Sequence, residues 1–295
     1  MFIRSKQNLC FLLLAASASA CAATAPGATG EDANVAADVQ DGAAAAPPVR
    51  DPIFDTPFPS FDPLQQVPAA DVDLSKDVHL LTPACQHRVD DFSAYSVPVG
   101  QKMPDLTLWN ASGEQVSLSQ YAGKSAVLLV LGASSCPVFR DMAQPWFPKV
   151  KALADSLTAK TGRRLELVVV YAQEAHPAID PSPYSEQQWT DKANVDDKVL
   201  VRQPTTFAER VTLVRGLLAR FPLDPAGVWI DGMDNAAWTL LGQLPNTIHL
   251  IDQDGTVVYA EPWAFGNEPP NGDGPAPLHP DTPVVMEKIR ALLDP

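Results

Sequence analysis

Strand and helix signals alternate along residues 78–295, which predicts an α/β fold, a three-layer sandwich with a mixed central sheet. Three observations carry that prediction. Ala126 to Leu131 is a continuous apolar run, as a strand covered on both faces requires, and Leu165 to Tyr171, apolar apart from Glu166, reads as the next buried strand. Between them, Phe139, Met142, Trp146, Val150, Leu153 and Leu157 recur at three- or four-residue intervals, which marks one face of a helix that Pro145 should kink. Near the end, Thr247 to Ile251, an Asp254-Gly255 turn and Thr256 to Tyr259 form a hairpin, so part of the sheet is antiparallel.

The remaining elements follow from the same rules. Leu106 to Trp109 is a strand ending in the turn-like Asn110-Ala111-Ser112-Gly113, with Val116 to Leu118 returning beside it. Phe207 to Leu218 reads as a helix, Val228 to Ile230 as a short strand, Ala236 to Leu241 as a helical turn or two, and Val284 to Leu293 as a closing helix.

Ahead of this body stand two appendages. Residues 1–20 carry Arg4 and Lys6, an apolar run around Leu12 to Ala16, and the small-residue pattern Ala18-Ser19-Ala20, the layout of a secretory signal peptide. The following Cys21 also suits a lipoprotein site, so the mature chain is expected to be exported to the periplasm or cell envelope, tethered to membrane if Cys21 is lipidated. Residues 21–77 are rich in Ala and Pro. From Ala22 to Lys76 they hold nine acidic residues against two basic ones, Arg50 and Lys76, and read as a disordered acidic tether. Ile53, Phe54, Phe58 and Phe61 interrupt it and are candidates for docking on the body.

The charge of the whole chain is −14, with 35 acidic and 21 basic residues, and this argues against a nucleic-acid partner, which needs clustered Lys and Arg. His87, His176, His249 and His279 show no metal spacing, and Asp252-Gln253-Asp254-Gly255 lacks the later ligands of a calcium loop. No metal or cofactor is expected.

The chemistry centres on the cysteines. Cys10 leaves with the signal and Cys21 belongs to the tether, leaving Cys85 and Cys136. In an exported protein such a pair can be a structural disulfide, and the domain then a noncatalytic envelope binding module. The competing reading rests on the position of Cys136, which ends a buried strand and opens a helix with Pro137 at its first position. Unpaired N–H groups there favour thiolate over thiol and lower the sulfur's pKa. Phe139 occupies the third position after Cys136, so dithiol exchange within one motif is excluded. Leu244-Pro245-Asn246 places a proline directly before a strand; together with a cysteine at the first helix it matches the thioredoxin arrangement, in which the proline loop faces the sulfur.

Four ordered segments between about Met103 and Leu293 resemble the iodothyronine deiodinase family of that fold. They are Gly132 to Phe139, Val170 to Pro177 with Glu174-Ala175-His176, Ile230 to Asn235, and Leu244 to Ile251. Cys136 stands where the vertebrate members carry selenocysteine, and Ser134 where the family often has a second cysteine. The resemblance implies a thiol oxidoreductase that attacks a small oxidised or iodinated substrate through Cys136. His176 would donate a proton to the leaving group and Glu174 would orient His176 or supply a hydrogen bond. Ser134, Ser135, Pro137, Phe139, Leu244 and Pro245 would line the substrate, although Ser134 and Ser135 are equally placed to cap the helix. With no neighbouring thiol, recycling falls to Cys85 or to an external thiol reductant. A peroxiredoxin-like peroxidase is the nearest rival, and Ala133, where peroxiredoxins carry Thr, stands against it.

Overall fold

The two apolar runs lie at the centre of a seven-stranded mixed sheet. The computed structural model describes residues 52–55, 66–76, 81–264 and 283–295, so the signal segment, Cys21, Phe58 and Phe61 lie outside the described residues. In chain order the strands are β1 (Thr107–Asn110), β2 (Gln115–Ser117), β3 (Ala126–Gly132), β4 (Leu165–Tyr171), β5 (Val228–Ile230), β6 (Ile248–Ile251) and β7 (Val257–Glu261), arranged in space as β2-β1-β5-β4-β3-β6-β7. β3, β4 and β5 are parallel neighbours, and the flanking pairs are antiparallel. The predicted α/β sandwich with a mixed sheet is the observed fold.

Helices cover both faces. Strand β3 feeds α3 (Pro137–Asp141), a π turn over Met142–Trp146 and α4 (Phe147–Thr161). The irregular turn falls where Pro145 withholds an N–H, which is the break the sequence predicts. α4 buries Phe147, Val150 and Leu157 against the sheet face formed by Leu128, Val130 and Val169, alongside α6 (Phe207–Arg220) and α8 (Pro283–Leu293). Thr206 and Glu209 start α6 with a reciprocal capping box. On the opposite face, Val127, Leu129, Leu131, Val168 and Val170 pack under α7 (Ala236–Leu240) and the loops before β1. All seven residues of β3 are buried, as a strand covered on both sides requires. Among the described residues, no helix is long and apolar enough to cross a membrane.

Three helices have no signal in the sequence: α1 (Pro83–Asp90), α2 (Phe92–Tyr95) and α5 (Lys192–Asp196). α1 buries only Cys85, so it has no apolar periodicity to read. Of the docking candidates in the tether, Phe54 packs on the body. Phe54 is buried, its ring stands edge-on to Phe207 at 6.3 Å, and its carbonyl accepts from Arg215 Nη2 at 2.7 Å. Gly113, at φ +87°, makes the room: a Cβ there would lie 2.7 Å from Phe54 Cγ. Further along, the amide of Val67 donates to the Leu200 carbonyl at 2.9 Å, and its side chain packs on Ala178 and Leu200. Burying one such side chain stabilises by roughly 1.5 to 3 kcal/mol, enough to hold short straps from an otherwise polar segment.

Candidate active site

β3 ends at Gly132, and residues 133–136 turn the chain into α3. The Cys136 amide donates back to the Ala133 carbonyl at 3.3 Å, and the Cys136 carbonyl accepts from Arg140 at 3.1 Å, so the cysteine itself caps α3 and Pro137 takes the first helical position. Ser134 and Ser135 therefore do not cap the helix.

Side chains hold the amides and carbonyls of Ser134 and Ser135. On one side, the Glu174 carboxylate accepts from the Ser135 amide at 2.6 Å, with the Ser134 amide and Ser135 hydroxyl also on it. Tyr171 donates its hydroxyl to the other carboxylate oxygen. On the carbonyl side, Arg140 Nη1 donates to Ser134 O at 2.9 Å and Asn194 Nδ2 to Ser135 O at 2.9 Å. The same Asn194 Nδ2 donates to the His176 carbonyl at 3.1 Å, while Asn194 Oδ1 accepts from Arg140 at 2.8 Å. Asp197, half exposed, takes the other end of the guanidinium at 2.8 Å. Ser134 Oγ is buried without a hydrogen-bond partner.

Glu174 and His176 both bond Ser135, the residue before Cys136, in partnerships other than those the sequence suggests. The His176 amide donates to Ser135 Oγ at 2.9 Å, its ring Nδ1 lies 3.2 Å from the Trp189 carbonyl, and the ring meets the Trp189 indole edge-on at 4.7 Å. Glu174 therefore braces the cysteine turn through backbone amides, and a carbonyl orients the His176 ring. Of the predicted substrate-lining residues, Phe139 and Leu244 are fully buried core: a Cβ on Gly132 would lie 2.3 Å from the Phe139 ring. Pro137 is spent on starting α3 and Ser135 on His176, whereas Pro245 is half-buried. Trp146 is core, as its helical spacing indicates.

The electrostatics reverse one expectation. Cys136 is 2% exposed, and burial pushes its thiol up to about 11. The helix terminus acts in the predicted direction, through the Phe139 and Val138 amides, and Arg140 adds to it, but desolvation of the sulfur outweighs them and the Glu174 charge opposes them. The resting cysteine is a protected thiol. Burial likewise drives Glu174 above the usual carboxylate range, against its hydrogen bonds from Ser135 and Ser134 and the charge of Arg140.

Cys85 sits in the first turn of α1, where its amide donates to Thr82 Oγ1 at 3.1 Å; it is fully buried, and burial raises its thiol to about 11 against the pull of Arg88. Both cysteines are free thiols, so the structural staple is not formed. Tyr184, buried in the same apolar cluster, accepts a hydrogen bond from Trp238 Nε1 on its hydroxyl at 3.1 Å. Arg140, Asn194 and Tyr184 were missed from the sequence. Arg140 carried a signal, since it follows Cys136 by one helical turn; Asn194 and Tyr184 carried none. Among the described residues, no group of three or more His, Cys, Asp or Glu is placed to hold a metal ion.

A family model described as the AhpC/TSA family matches residues 99–260, more than half of the chain. The chain belongs to the AhpC/TSA family. The matched stretch contains Cys136, Glu174, His176 and Pro245, and it places the protein among thioredoxin-fold thiol oxidoreductases; membership of the deiodinase family is not shown. No curated protein matches the chain. Among solved structures, a protein described as the thiol:disulfide interchange protein DsbE from Chlorobium tepidum is 21% identical, with 67% of this chain and 99% of that one covered and a TM-score of 0.40. A thiol peroxidase from Chromobacterium violaceum is 13% identical over 67% of this chain and 87% of its own, with a TM-score of 0.38. The thioredoxin domain of a thiol-disulfide oxidoreductase from Bacteroides vulgatus is 16% identical over 56% and 89%, with a TM-score of 0.31.

Proposed function

We propose that this AhpC/TSA-family protein is an exported thiol peroxidase whose reacting atom is the sulfur of Cys136 and whose substrate is a small hydroperoxide. The observation that carries this reading is the braced turn at Cys136: amides on Glu174, carbonyls on Arg140 and Asn194, and the sulfur at the amino end of α3. A turn held on both sides presents the sulfur in one position, the arrangement a displacement at a single atom needs. The sulfur attacks the outer oxygen of the peroxide. The O–O bond breaks, the alcohol or water leaves with the proton given up by the thiol, and Cys136 becomes a sulfenic acid. His176, whose amide bonds Ser135 beside the cysteine, would pass that proton to the leaving oxygen. A thiol reductant from outside the chain returns the site to its starting state.

Burial at 2% exposure favours a substrate of a few atoms over a bulky one. An iodinated phenol is the second substrate class, supported by the convergence of the Gly132 to Phe139 and Val170 to Pro177 segments, which carry the deiodinase resemblance, on Cys136. In that case sulfur takes the iodine and the ring carbon takes a proton. The leader-like residues 1–20 support export, and Cys21 supports a lipid tether.

The test is to treat the full chain with hydrogen peroxide, an organic hydroperoxide or an iodinated phenol in the presence of dimedone, and to locate the adduct by peptide mass spectrometry. A dimedone adduct on Cys136 after peroxide, absent in Cys136→Ser, is the expected result. Loss of iodide from the phenol without any peroxide-dependent adduct would replace the peroxidase by the deiodinase reading, and no modification of Cys136 by any of them would refute both.

A further inference from the structure

The family match begins at residue 99, so the described stretch 66–76 lies ahead of it. Yet this stretch is fastened to the loops around the Cys136 turn. Val67, at 4% exposure, donates its amide to the Leu200 carbonyl at 2.9 Å and forms a small apolar cluster with Ala178 and Leu200, against which Val72 and Val195 pack. The Asp73 carbonyl accepts from Gln188 Nε2 at 3.2 Å. Between these anchors, residues 68–71 are exposed and wind through a 3₁₀ turn, Ala69–Asp71.

Each anchor lands next to a group that braces the cysteine turn. Val195 follows Asn194, which donates to the Ser135 and His176 carbonyls. Ala178 stands two residues after His176, whose amide is on Ser135 Oγ, and its own amide donates to the Val201 carbonyl at 2.8 Å. Gln188 precedes Trp189, whose carbonyl meets the His176 ring, and its Nε2 also donates to Thr190 Oγ1, which in turn donates to the Ala178 carbonyl at 2.8 Å. Segments 176–178, 188–190 and 194–201 are thus tied to one another and to the turn, and residues 66–76 bind all three from outside. Apart from α5 and an isolated bridge between Pro181 and Gln188, residues 176–201 form no regular structure, so their order depends on contacts of this kind.

We propose that residues 66–76 are a strap that gates the Cys136 sulfur. Docked, the strap holds the three segments against the turn and keeps the sulfur from solvent; released, it lets them part and admits a reactant. The surface made by Ala178, Val195 and Leu200 is a seat whose occupant is the chain's own Val67. One buried valine and one half-buried valine hold this strap, whereas all seven residues of β3 are buried, so release takes far less free energy than opening the sheet and occurs while the fold is intact. The gate acts on access and serves whichever substrate the sulfur takes.

The full chain is labelled with iodoacetamide and the rate read at the Cys136 peptide, with hydrogen exchange followed in parallel. Val67→Asp puts a charge into the apolar seat and undocks the strap; Val67→Ala, which keeps the backbone bond and removes most of the apolar contact, replaces it should the aspartate variant fail to fold. Cys136 is expected to label about tenfold faster in Val67→Asp than in the parent, and faster by a smaller factor in Val67→Ala. The Ala178 and Val199 amides should exchange faster in step, while the amides of β3 and β4 stay protected after labelling is complete, a separation that general destabilisation would not produce. Labelling at the parent rate in the variant that folds overturns the gate, and so does a rise that tracks loss of protection along β3 and β4. Either result leaves the peroxidase reading standing, because no peroxide is used, and failure of Cys136 to react with peroxide would refute that reading without touching the gate.

Discussion

Raising the pH should unmask Cys136 in a way that no exposed cysteine would follow. A free thiol with pKa about 8.5 is roughly 9% ionised at pH 7.5, whereas one at about 11 is roughly 0.03% ionised, so alkylation through the thiolate should be about 300-fold slower than for a model thiol. The rate should also rise about tenfold per pH unit up to pH 10, with no plateau near 8.5, because each unit ionises ten times more of the sulfur. The assay is pseudo-first-order labelling with iodoacetamide, quenched and read at the Cys136 peptide. Cys85, held up to about 11 by the same cause, serves as an internal comparison. A plateau near pH 8.5 at the rate of a model thiol would show the sulfur ionised and open to solvent, and the account of burial outweighing the helix terminus would be wrong.

Three further outcomes follow from named contacts. Glu174→Ala strands the Ser135 amide and the Tyr171 hydroxyl in a buried site and should cost about 2 to 5 kcal/mol in denaturant unfolding, whereas Glu174→Gln keeps an acceptor and should cost less than half as much. His249 is fully buried with both ring nitrogens unpaired, and burial lowers its pKa to about 3. The unfolded chain therefore binds a proton that the fold excludes, so stability should fall as the pH drops from 6.5 towards 3, by on the order of 4 kcal/mol; His249→Leu should remove that loss and be neutral or stabilising at pH 7. Gly242→Ala places a methyl against the Phe92 ring at φ +102° and should lower stability by roughly 3 kcal/mol, with the melting temperature as the measurement.

The sheet was legible because its centre obeys simple rules. β3 is an unbroken apolar run, β4 is one from Leu167 onward, and the π turn falls where Pro145 removes a donor. The cysteine turn was legible for the same reason: a strand must end and a helix must start between Gly132 and Pro137. The state of its sulfur was not. Helix-end geometry is local and can be read from order along the chain, but desolvation depends on a core cluster drawn from distant parts of it, in which Cys136 is buried. Asn194 was invisible likewise: it lies 59 residues from Ser135 and 18 from His176, and its role exists only once the loops meet. In the tether, the docking of Phe54 was legible as an aromatic interruption of a polar segment, whereas that of Val67 carried no signal.

The most direct test of the account is the consumption of hydrogen peroxide by the full chain with dithiothreitol, compared with Cys136→Ser. Steady turnover in the parent and none above the reagent blank in the variant is the predicted result. Equal consumption by both would contradict the claim that this sulfur is where the chemistry occurs.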